Sequence, residues 1–189
     1  MIGSLDDLRR EMLKRLPSVG FSAVQYGTVT VTNGVASGTA TISAVDTTKA
    51  SVMFLGMATT NAGLTIDDYV SCETWLELTN STTVTATRSR TASITGTLTI
   101  GFVVITWANA KSVQTFTINL SSTLTGTATI TSVNTTKTLL FHLGVSTSVY
   151  VNYARELTWF TLTNSTTVTA TRADGTGALT VRGVAVELL

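Results

Sequence analysis

The chain has 189 residues, 43% hydrophobic and only 12% charged, with a formal net charge of +1 and no basic block or acidic tail. Electrostatic attraction to nucleic acid or anionic lipid therefore has little to work with. Mean hydropathy is +0.34, but no run of about 18 apolar residues is present to span a membrane.

Threonine is the distinctive residue, at roughly a fifth of the chain. It is β-branched, favours strands and keeps a hydroxyl for a wet face. Pro17 is the single proline, so this is no Pro-rich stalk. Cys72 is the single cysteine, which excludes an intrachain disulfide and a cysteine-based metal site.

Residues 4–16 carry a helical pattern. Leu5, Leu8, Met12, Leu13 and Leu16 recur on one side, and Arg9, Arg10, Glu11, Lys14 and Arg15 cover the other. Ser4 with Asp7 forms a capping box, acids precede bases as the helix dipole prefers, and Pro17 and Gly20 end the run. About three turns are marginal alone in water. The stripe must dock on the chain's own β-structure, on a partner, or on copies of itself. The acidic start without an apolar core is not the pattern of a signal peptide.

Beyond residue 20 the chain repeats itself. Residues 38–49, Gly-Thr-Ala-Thr-Ile-Ser-Ala-Val-Asp-Thr-Thr-Lys, return at 126–137 as Gly-Thr-Ala-Thr-Ile-Thr-Ser-Val-Asn-Thr-Thr-Lys. Residues 78–88, Leu-Thr-Asn-Ser-Thr-Thr-Val-Thr-Ala-Thr-Arg, return unchanged at 162–172. Trp75 matches Trp159, and the closing run 98–105 matches 179–186. Kept order marks a tandem duplication.

Within each copy the period is two. Val29 and Val31 alternate with Thr28, Thr30 and Thr32, and Val84 and Ala86 alternate with Thr83, Thr85 and Thr87, as in half-buried strands. Phe102, Val103, Val104 and Ile105 are apolar on both sides, as a central strand would be. Asn33-Gly34 and Asn80-Ser81 mark turns. The expected fold is all-β: two tandem repeated antiparallel β-sandwich modules, jelly-roll-like, at 21–108 and 109–189, behind a helical anchor at 1–20. Modules of about 80 residues bury only about 60–65% of their chain surface, so a homo-oligomer is expected, with a trimer favoured.

Signals for chemistry are few. His142, the only histidine, aligns with Phe54 of the first copy, which points to packing. Asp67, Asp68, Glu73 and Glu77 are the acids from which a calcium or acid-base site could be drawn, but no metal-loop spacing accompanies them and they read as solvated. Asn80, Asn134 and Asn164 match the glycosylation pattern and read as turns. No catalytic, cofactor-binding or metal-ligating residue is expected, and the chain reads as no enzyme. Alternation puts Trp75 with Glu73 and Glu77, opposite Leu76 and Leu78. Trp75 and Trp159 are therefore interface candidates, or core residues of a shifted strand. As an interface residue, Trp75→Ala is expected to weaken assembly and spare the monomer fold.

The repeated phrases at 38–49 and 78–88 with their closing strand resemble β-modules of tailed-bacteriophage virion proteins, the head decorations, head fibres and other fibre-like structural proteins. The resemblance covers about residues 24–107 and 111–189. It implies a protomer that assembles in the host cytosol without export and decorates the capsid or projects as a short fibre. Residues 4–16 would anchor it to another virion protein of capsid or tail. No membrane or nucleic-acid partner is implied. The alternative is a tail-fibre or baseplate component that reads a host-surface glycan through aromatics such as Trp107, Tyr69 or Tyr153. A bacterial adhesin would need an export signal.

Overall fold

Where apolar residues alternate with threonine, as at Val29 to Val31 and Thr83 to Thr87, the described chain is strand. The computed structural model describes residues 20–60, 73–89, 96–147 and 157–189. The anchor residues Leu5, Leu8, Met12, Leu13 and Leu16 lie outside these, as do Asp67, Asp68, Tyr69, Cys72 and Tyr153. All regular structure among the described residues is β-strand, with no helix.

The first copy supplies β1 (Phe21–Val31), β2 (Ser37–Thr41), β3 (Ala50–Thr59), β4 (Thr74–Asn80), β5 (Thr83–Arg88) and β6 (Leu98–Trp107). The second copy supplies β7 (Ala110–Ser121), β8 (Thr125–Thr129), β9 (Thr138–Thr147), β10 (Thr158–Asn164), β11 (Thr167–Arg172) and β12 (Ala178–Leu188). Their pairing repeats with the sequence: Gly38 faces Ala86 between β2 and β5, and Gly126 faces Ala170 between β8 and β11.

The strands form three antiparallel sheets, in the orders β1-β6-β3, β10-β11-β8 and β2-β5-β4-β9-β12-β7. The last crosses from one copy to the other at β4 and β9. One core lies between the first sheet and the six-stranded sheet, joining Val29, Val31, Ile100 and Phe102 to Leu76, Val84 and Ala86. The other lies between the six-stranded sheet and β10-β11-β8, joining Phe116, Ile118 and Val181 to Val168 and Ala170. The six-stranded sheet is thus the middle layer. Strand β12 serves both cores, with Val184 and Val186 in the first and Val181 and Ala185 in the second. This explains a strand that is apolar on both faces.

Turns and buried polar groups are duplicated as well. The Asn80 and Asn164 side chains each accept the N–H two residues on, from Thr82 and Thr166, at 2.8 Å. The Gln25 carboxamide pairs with the Ser43 backbone, and the Gln114 carboxamide does the same at Thr131. Arg88 and Arg172 are buried and donate to backbone carbonyls, Arg88 to Val31 and Arg172 to Gly177 and Thr123. These arginines close the strand ends and do not face solvent.

Candidate functional site

Among the described residues, the two copies are used differently at the joint between them. Strand β4 runs antiparallel to β9, with Trp75 opposite Gly144. Gly144 sits at φ +124°, and a Cβ there would fall 2.0 Å from the Thr74 carbonyl oxygen and 2.6 Å from Trp75 Cα. A glycine inside a strand marks a bulge or a close backbone approach, and here it marks both, since the β9–β12 register slips beside it.

Polar contacts fasten this joint. The Arg182 guanidinium lies 4.9 Å from the centre of the Trp75 ring and donates to Glu77 Oε2 at 3.1 Å. The pair is part-exposed, so it orients the edges more than it stabilises them. Glu73 is buried, and its Oε2 accepts the Thr147 N–H at 2.9 Å and the Ser89 hydroxyl at 3.2 Å. Glu73 is thus an internal polar joint between the copies and not the solvated acid expected from sequence. Leu143, 2% exposed, closes the first core from the second copy's side.

His142 stands next to the joint. Its Nδ1 accepts the Gly144 N–H at 3.1 Å, so Nε2 carries the proton and donates to the Thr158 hydroxyl at 2.9 Å. The ring stacks on Phe160 at 5.1 Å. Burial pushes its pKa below the ordinary 6.5. The Thr158 hydroxyl receives the Nε2 proton, so the ring is not set as a base toward it, and Phe54, its equivalent in the first copy, is likewise partly buried against a core.

Two small cavities lie along the joint, of about 170 Å³ and 200 Å³. Both fall short of the several hundred Å³ that a drug-sized ligand needs. Among the described residues no group of three or more His, Cys, Asp and Glu side chains is placed to hold a metal ion. Elsewhere Glu187 accepts from Lys111 Nζ at 2.9 Å and from the Asn134 N–H at 2.8 Å, which hold its carboxyl below its ordinary range. This cluster ties the start of β7 to the end of β12.

The two tryptophan candidates part company. Trp75 is half-buried in the joint inside the chain. Trp159, its equivalent on β10, is 55% exposed on the outer edge of a sheet. Trp107 is buried, its Nε1 donating to the Ser51 hydroxyl at 2.9 Å and its ring stacked on Phe141. It is a core residue, which removes it as a glycan-stacking aromatic. Sequence reasoning passed over Gly56 and Gly144, although the signal was there: a glycine at the same place in the same apolar strand of both copies. Comparison with protein families, curated proteins and solved structures returns no match for this chain.

Proposed function

We propose that this is a non-enzymatic structural protein of a tailed-phage virion, decorating the capsid or projecting from it as a short fibre. Residues 4–16 anchor it to the particle, and the two copies form its outer part as small sandwich modules. A homotrimer is the preferred assembly. The observation that carries the reading is the six-stranded sheet that crosses between the copies. A shared sheet with two cores joins the copies into one stiff body, where a linker would leave two beads. A stiff, sparsely charged body faced with threonine suits the outside of a particle. The repeated phrases that resemble phage β-modules agree with it.

Receptor reading by a tail fibre or baseplate is the second function considered. Its aromatic set is reduced by the burial of Trp107, and no observation favours it over decoration.

The test is density-gradient fractionation of a lysate from producing cells, probed with antibody against the folded chain. The protein is expected to band with phage particles. A chain carrying Leu8→Asp and Leu13→Asp should leave that band while keeping its β-sheet circular dichroism. Wild-type protein found only in the soluble fraction would contradict the virion assignment.

A further inference from the structure

The β4–β9 joint uses one edge of each copy, and the duplication supplies the same two edges a second time. The equivalent of β9 in the first copy is β3, and the equivalent of β4 in the second is β10. Each lies at the edge of its three-stranded sheet. We infer that copies of this chain associate head to tail, with β10 of one copy pairing edge to edge with β3 of the next and Trp159 opposite Gly56.

Four observations carry this. First, Gly56 sits at φ +131°, matching Gly144 at +124°, yet a Cβ on Gly56 would meet nothing within 4 Å among the described residues. The special backbone is present on a strand that, among the described residues, has no neighbour pressing on it as β4 presses on Gly144. Second, the residues that the internal joint covers are open at the free edges. Leu55 is 57% exposed where its equivalent Leu143 is buried. Leu157 is 72% exposed where its equivalent Glu73 is buried. Third, neither β3 nor β10 carries a charged residue or a proline, the devices that keep exposed edges from pairing.

Fourth, the polar contacts of the internal joint are replaced consistently. Glu77 becomes Thr161 on β10, and Arg182 becomes Gly101, which pairs with Gly56. The Gly56–Gly101 pair leaves a floor without Cβ atoms on which an indole can lie, as aromatics cover glycine in sheets. Charge then assigns the partners. Glu77 opposite Arg182 belongs inside the chain, and Thr161 opposite Gly101 belongs between chains.

The occupant is a second copy because each free edge finds its complement on the other end of the same molecule. A contact between two different surfaces closes into a ring or runs on as a filament. In a closed trimer, six copies of the module would be joined by six like seams. This inference goes beyond the virion reading and does not depend on it.

Light scattering of the full chain after size-exclusion chromatography tests it, on wild type, Trp159→Glu and Leu55→Glu. Wild type should run at a multiple of 19.9 kDa, and each variant alone should fall to one chain with an unchanged far-ultraviolet spectrum. The Trp159→Glu chain keeps an intact β3 and the Leu55→Glu chain an intact β10. Mixed one to one, they should recover a two-chain species and nothing larger. If glutamate unfolds either chain, serine at the same position should give the same pattern. Monomeric wild type, a variant that keeps the wild-type mass, or a mixture that stays monomeric would each overturn head-to-tail pairing. A retained mass would place association elsewhere, as on residues 4–16, without bearing on particle binding.

Discussion

His142 couples one side chain to the joint between the copies. Its neutral ring accepts the Gly144 N–H, and burial holds its pKa below 6.5. The unfolded chain therefore binds more protons than the folded one between that lowered pKa and 6.5. The stabilisation is fully present above 6.5 and is lost as pH falls through this window. Asp46 and Glu187, both held below their ordinary 3.8 and 4.5, act only at lower pH. Urea midpoints measured from pH 7 to 5 should thus decline in wild type and stay nearly flat in His142→Phe, the residue that Phe54 supplies in the first copy. An equal decline in both would remove His142 as its source. The packing role was legible from the Phe54 alignment. The hydrogen bond to Gly144 was not, because it needs the strand bulge to bring the amide round.

Among the elements, the strands themselves were the most legible part. Val29, Val31, Val84 and Ala86 are all fully buried, as their alternation with threonine requires, and Phe102 to Ile105 lie on β6, the central strand of its sheet. The β4–β9 pairing was not legible. Edge pairing between distant strands depends on backbone approach, and only the two glycines report it. They also allow it to be measured. Gly56→Ala and Gly144→Ala share the cost of an unfavourable backbone, about 1–3 kcal/mol. Gly144→Ala also drives a methyl into Thr74, adding about 1–3 kcal/mol of overpacking. Denaturant unfolding at a concentration that keeps the chain monomeric should show Gly144→Ala as the more damaging. Equal losses would mean that β4 does not press on β9. Trp75→Ala acts on this same internal joint.

At the scale of the whole molecule, duplication gave one chain two of each joint edge, and the chain itself pairs one set, β4 with β9. Module size and composition already hinted at association, since small modules bury a smaller share of their surface than large domains do and the chain carries few charges to keep its edges apart. The sequence did not show which edges stay open. That follows from the order of strands, with β3 and β10 left at the borders while β4 and β9 are consumed. Tryptophan spacing offered two equal candidates, and burial separates them. Trp75 faces its own chain and Trp159 faces outward.

The most direct measurement is amide hydrogen exchange on the full chain, compared between a dilute monomeric sample and the assembled form. Pairing of β10 with β3 should raise protection on assembly in Phe54–Thr59 and Thr158–Leu162, leaving the outer edges β2 and β7 of the six-stranded sheet unchanged. Protection gained at β2 and β7, or only in residues 4–16, would contradict head-to-tail pairing through Trp159 and Gly56.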